Sequence, residues 1–131
     1  MAWEEKGITV SGPADENLKE DQYKIVVLDP TSLKVRRPAA ATDVPFGVLQ
    51  NAPDINEGAV VAPIGCGGIS KVVLGATLGA GTIIGMEYND AADAGKAVAA
   101  VATQYPVGTL LEGGDEDELG TVLLTPLTVK A

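Results

Sequence analysis

One cysteine, no histidine and eighteen carboxylates limit the chemistry this chain can do. Cys66 is the only thiol. A catalytic cysteine needs a base or a positive neighbour to hold it as thiolate. Without histidine no Cys/His pair can form, and the neighbours of Cys66 are Gly65, Gly67 and Gly68. The residue reads as the filler of a small buried gap. The same counts exclude the usual His/Cys zinc site and a disulfide within the chain. Gly79-Ala80-Gly81-Thr82-Ile83-Ile84-Gly85 approaches a dinucleotide fingerprint, but its Gly-x-Gly-x-x-x-Gly spacing is too long. No helical pattern follows it to cradle a phosphate, so a hairpin turn is expected there. Asp115-Glu116-Asp117-Glu118 lacks the alternating spacing of a calcium loop and reads as a solvated hairpin tip. A glycosidase pair would need a cleft with one buried acid. The acids here gather at expected turn tips, and aromatic residues, which line sugar clefts, make up only 4% of the chain. The residues therefore predict no enzyme, no metal and no cofactor.

Two features could serve recognition instead. Lys34, Arg36 and Arg37 form a basic cluster on a chain of net charge −9. Such a patch can dock an acidic partner or simply be a solvated strand face. Trp3 is the only tryptophan. Tryptophan is enriched at binding hot spots, but Trp3 could equally fold back on its own domain. The acidic balance repels phosphate backbones and anionic membrane surfaces, so neither nucleic acid nor membrane is an expected partner. The stretch 72–86 is too short and too glycine-rich to span a bilayer, and the acidic start is no signal peptide. The protein is expected to be soluble and made inside the cell.

These residues must be positioned by short strands. The chain has 131 residues, 46% of them hydrophobic, with 16 glycines and 8 prolines, which suits one domain with a Val/Leu/Ile/Ala core and many turns. Residues 1–22 hold six acidic and two basic side chains and few apolar ones, and read as an extended, partly or wholly flexible arm. Residues 23–131 read as one β-rich domain. Strands are expected at 23–28, 33–37, 46–50, 60–61, 69–74, 82–86, 96–102, 107–112 and 120–124, with a short edge strand at 127–129. Glycines 65, 67, 68, 75, 79 and 81 are expected to separate the central ones, because interior glycine costs a helix about 1 kcal/mol each. The sum is a mainly β fold, a small β-barrel or sandwich.

Two stretches look alike. Pro45-Phe46-Gly47-Val48-Leu49 leads through a polar loop to Gly58-Ala59-Val60, and Pro106-Val107-Gly108-Thr109-Leu110 leads through another to Gly120-Thr121-Val122. Each reads as strand, turn, strand, and the pair predicts two corresponding corners of one barrel. The first stretch resembles the capsid decoration (head cement) proteins of tailed bacteriophages. So does the order of its surroundings: Asp21-Gln22-Tyr23-Lys24-Ile25-Val26-Val27-Leu28 before it, then Gly68-Ile69-Ser70-Lys71-Val72, Gly79-Ala80-Gly81-Thr82 and Gly95-Lys96-Ala97-Val98-Ala99, and last the second stretch. The likeness covers roughly residues 17–125. It implies a β-tulip-like protein on the outer surface of an assembled head, made in the host cytoplasm. It also implies a homotrimer that braces the major capsid protein lattice, without catalytic residues. The candidate partner-binding residues are Trp3, Ile8 and Val10 in the arm and Lys34, Arg36 and Arg37 beyond it. A tail or baseplate β-module shares the composition and is the rival reading. A small carboxylate hydrolase is the weakest.

Overall fold

The computed structural model describes residues 5–54, 61–90 and 92–125, with side chains from 9–54, 67–90 and 92–125. These residues form nine strands and no helix: β1 (Glu5–Pro13), β2 (Ile25–Leu28), β3 (Val35–Arg36), β4 (Gly47–Leu49), β5 (Val61–Val73), β6 (Ile83–Met86), β7 (Ala97–Ala99), β8 (Gly108–Glu112) and β9 (Leu119–Leu124). Every strand-to-strand ladder is antiparallel, in the order β3-β2-β4-β5-β9-β8-β6-β7, with β1 also on β5. The fold is mainly β and sandwich-like, built of two sheets of mostly short strands that β5 joins. Among the described residues neither sheet closes into a barrel. Each is drawn round only by a single parallel bridge, Ala14↔Val35 in one and Leu74↔Ala97 in the other.

β5 departs from the expectation of separate strands at 60–61 and 69–74. It is one strand, and Gly65, Gly67 and Gly68 lie inside it. Gly67 and Gly68 adopt φ of 109° and 76°, which only glycine takes readily. They kink the strand without ending it, and β1 stays paired on both sides of the kink (Ile8↔Cys66 and Lys6↔Gly68). Up to Gly65 the strand pairs with β4, and from Gly68 with β9. A kinked strand that passes from one sheet to the next is a usual way to turn a corner in a sandwich. β3 is shorter than the expected 33–37: Leu33 sits at φ 60°, and Pro38 has no N–H to extend the ladder. The expected edge strand at 127–129 lies outside the described residues.

The segment expected as an arm is largely laid down on the domain. β1 pairs with β5 from Glu5↔Ile69 to Pro13↔Val61, and Leu18 is fully buried. Residues 1–4, Trp3 among them, lie outside the described residues.

The likeness of the two stretches extends through the described strands. The sheet order is a mirrored list: β2, β3, β4 and β5 correspond to β6, β7, β8 and β9. The registers agree. Val26↔Gly47 corresponds to Ile84↔Gly108, Leu28↔Val35 to Met86↔Ala97, and Pro13↔Val61 to Val73↔Leu119. So β1 corresponds to the C-terminal half of β5, and the repeats run over residues 5–66 and 67–125. Connecting backbone bonds repeat as well. The Tyr23 N–H donates to Leu49 O at 2.7 Å and the Gly81 N–H to Leu110 O at 2.7 Å. The Leu33 N–H donates to Asp29 O at 2.9 Å and the Gly95 N–H to Glu87 O at 3.0 Å. Positive φ recurs at the same places, Tyr23 (65°) with Gly81 (90°) and Leu33 (60°) with Gly95 (91°). Each repeat has its own core. In the first, Ala14, Leu18, Val26, Val35 and Leu49 pack with Leu28 and Phe46. Their counterparts Leu74, Leu78, Ile84, Ala97, Leu110, Met86 and Val107 pack in the second.

One detail of the sequence match is corrected. Gly47 and Gly108, and Leu49 and Leu110, do correspond. But Leu49 pairs with Ile64 where Leu110 pairs with Val122, so the counterpart of Val122 is Ile64 rather than Val60. The two polar loops differ in length, and β8 carries an irregularity between Leu110 and Glu112 that shifts its register.

Candidate functional site

Among the described residues, a dense charged site lies where the N-terminal segment meets β3. Buried Leu18 anchors a turn in which the Asp21 N–H donates to Leu18 O (3.0 Å) and the Lys24 N–H to Asp21 O (3.0 Å). That turn sets Asp21 and Lys24 side by side, with Lys24 Nζ 3.2 Å from Asp21 Oδ1. Arg37 Nε reaches Asp21 Oδ2 at 2.9 Å, and its Nη1 reaches Glu16 Oε1 at 2.6 Å. Arg37 Nη2 also donates to Asn17 O (2.8 Å), and Lys24 Nζ donates to Ala92 O in the second repeat (3.0 Å). The Asp21 side chain is only 2% exposed. Both its oxygens are charge-assisted acceptors, a strong type of hydrogen bond. One carboxylate thus ties the N-terminal segment, the residue after β3 and the 92–95 turn together.

Arg36 points the other way. Its Nε lies 3.4 Å from Asp29 Oδ2 and its Nη1 3.5 Å from Asp43 Oδ2. The Thr31 and Ser32 N–H groups donate to Asp29 Oδ1 at 2.8 and 3.0 Å. The Ser32 and Thr31 bonds, with Arg36 adding to them, hold the Asp29 carboxyl below its ordinary range. Arg36 and Asp43 wall an open cleft of about 400 Å³ with Leu28, Pro30, Val44 and Tyr105. The guanidinium in that wall is already matched by two carboxylates, so it is not a free cation within the cleft.

Of the residues singled out in the sequence, Arg36 and Arg37 are both held in ion pairs within the chain, while Lys34 is exposed. Val10 is exposed on β1. The Ile8 backbone stands opposite Cys66, and Trp3 lies outside the described residues. Asp21 and Lys24, which hold the site together, were not singled out. Their Asp-x-x-Lys spacing just before a strand was the available signal. The acidic run 115–118 does form the exposed tip between β8 and β9. Lys96 Nζ reaches Asp117 Oδ1 at 2.7 Å and Asp93 Oδ1 at 3.3 Å, and the Asp117 bond above all raises the Lys96 pKa. The polar loop of the first like stretch has its own acidic residues, Asp54 and Glu57, of which only Asp54 is described. Residues 79–82 make a turn, with the Thr82 N–H donating to Gly79 O at 3.3 Å. It is not the expected hairpin, because β6 pairs with β7 and β8 rather than with β5.

The fold and these contacts define an all-β module of two tandem repeats. No family model matches the chain, and no curated protein matches it. A solved structure does: the crystal structure of the head fiber gp8.5 N base in bacteriophage phi29. The two agree with a TM-score of 0.64 at 16% sequence identity, over 95% of this chain and 100% of that one. At that identity the likeness is one of fold.

Proposed function

We propose that this chain is a structural protein of a bacteriophage virion, held on the outer surface of the assembled head, where it stabilises the major capsid protein lattice. The observation that carries this is the fold likeness to a head-fiber base over the whole of that domain. The ordered sequence resemblance to head decoration proteins supports it independently. The reading is mechanical. A ligand that binds only the assembled lattice stabilises it by mass action. A homotrimer touching several capsid subunits gains avidity without a strong single contact. A net charge of −9 suits an outer face, away from packaged DNA. Neither catalysis nor a cofactor is needed, and synthesis takes place in the host cytoplasm.

Residues 1–4 with Trp3 are the proposed capsid contact, backed by exposed Lys34, through strand addition to a capsid sheet edge. Removing residues 1–20 would also strip β1 and Leu18, so the informative truncation stops before Glu5. The test is to add the full chain, and separately the chain lacking residues 1–4, to tailed virions without the protein, and to image them by cryo-electron microscopy. Density over the head from the full chain alone is expected. Density on the tail or baseplate would replace this reading with the rival one. Equal occupancy by both chains would remove the role of residues 1–4.

A further inference from the structure

The first repeat hides a face that the second repeat leaves open. Outward from its own core, the first repeat presents Ile25, Val27 and Val48, and these belong to the cluster built on the second repeat's Val72 and Leu124. The Ile25 N–H donates to Gly95 O at 2.7 Å, so the 92–95 turn lies against that face. The counterpart of Ile25 is Ile83. Ile25 is 0% exposed and Ile83 58%. Leu123, across β8 from Ile83 in the same cross-strand row (Ile83↔Thr109↔Leu123), and Leu111 are exposed as well.

The reverse holds for the covering side. Ser70 belongs to the strand that covers the first repeat and is 3% exposed, whereas its counterpart Val10 is 40% exposed. Leu33, counterpart of the covering Gly95, is 64% exposed. The residue types change together. Inside the chain, Gln50 Nε2 donates to Ser70 Oγ at 3.0 Å between the two repeats. The counterpart of Gln50 is Leu111 and that of Ser70 is Val10. A polar pair within the chain thus becomes an apolar pair on its two free ends.

We infer that a second copy of this chain covers the open face. The Ile83/Leu111/Leu123 face of one copy meets the Val10/Leu33 edge of the next, reproducing between chains the contact that joins the repeats within one. β9 of one copy would then lead toward β1 of the next, as Cys66 leads into the second half of β5. The contact is heterologous, two different patches meeting, so it closes as a ring or continues as a filament. It does not depend on any capsid partner.

Sedimentation equilibrium of the full chain tests this, with Ile83→Glu and Leu33→Asp as variants that each spoil one patch. Both positions are exposed, and aspartate tolerates the positive φ at position 33. The wild type is expected to form an oligomer, and each variant alone to fall to the 13.3 kDa monomer. An equal mixture of the two variants is expected to give a species of twice that mass and no larger, because one intact pair of patches remains. Leu111→Glu and Val10→Asp repeat the test at independent positions, with thermal unfolding as the check on folding. A wild type that stays monomeric overturns the inference, as does a mixture that stays monomeric beside an oligomeric wild type. So does a monomer whose Trp3 emission reddens on Leu123→Glu, since the chain's own N-terminus would then cover the face.

Discussion

The two repeats share a backbone and an apolar core and differ in their polar ties. At the place where the first has Glu16, Asp21, Lys24 and Arg37, the second has Ala76, Gly79, Thr82 and Ala99. The first closes its N-terminal turn with a charge network around Asp21. The second has no such network at those positions, and its core only redistributes volume: Leu74 and Ile84 are larger than Ala14 and Val26, while Ala97 and Val107 are smaller than Val35 and Phe46. The first repeat therefore adds polar ties to the apolar packing that both repeats share. Ties and packing differ in what they tolerate. Apolar packing answers to volume, whereas a buried charge answers to whether its partner is present.

The sharpest way to break the correspondence is to exchange residues at matching positions. Gly95 and Leu33 both have positive φ, but only Gly95 lies against the Ile25 carbonyl, leaving no room for a Cβ. Gly95→Leu is expected to destabilise by about 3 kcal/mol or more, from strain together with the clash. Leu33→Gly removes strain at an exposed site and is expected to stay within about 1 kcal/mol of wild type. Urea unfolding of the two variants measures both. Equal losses would mean that the repeats do not use the position differently.

Next in size is the charge network. Asp21→Ala leaves Lys24 and Arg37 with their shared acceptor gone, and a broken buried pair costs about 3 kcal/mol. At the matching Gly79 an added Cβ meets open space, so Gly79→Ala is expected to change stability by about 0.5 kcal/mol. Thermal unfolding separates the two. Because Asp21 is buried, its loss should change little with added salt, while an exposed pair would be screened.

How much of this was legible in the sequence depended on the kind of signal. Strand existence and the mainly β class were readable, because β-branched runs such as 25–27 favour strand, here with one face in each core. The repeat was readable only at Pro-x-Gly-x-Leu, where Gly108 must be glycine because a Cβ would meet the Leu123 carbonyl. Elsewhere like counterparts such as Leu18 and Leu78 or Lys34 and Lys96 are scattered among unlike ones such as Arg36 and Val98 or Asp21 and Gly79, and backbone register reveals them. The kink at Gly67 and Gly68 was mistaken for a strand end because glycine marks both. The ion pairs of Arg36 and Arg37 were hidden for a different reason. Their partners lie seven to twenty-one residues away, and no local spacing announces them.

The smallest expected effect is also the one in which the repeats oppose each other in sign. Asp29 and Glu87 occupy matching positions, each with its backbone N–H bonded to the carbonyl of a matching lysine, Lys34 or Lys96. Backbone N–H groups from Ser32 and Thr31 hold the Asp29 carboxyl below its ordinary 3.8. Its contribution to stability is therefore complete above that value and is lost as the pH falls through its lowered pKa. Burial, and then the nearby Asp93 charge, push Glu87 above its ordinary 4.5. Between 4.5 and that raised value the folded chain keeps a proton that the unfolded chain gives up, so stability falls as the pH rises. Asp29→Asn is expected to be less stable than wild type near neutral pH, with the gap narrowing in acid. Glu87→Gln is expected to be slightly more stable near neutral pH, with the gain vanishing below 4.5. Unfolding curves at neutral pH and at about pH 3 read both signs. A Glu87→Gln variant weaker than wild type at neutral pH would show that the carboxylate's bond to Asn89 (3.2 Å) outweighs its burial, and the two positions would then be alike after all.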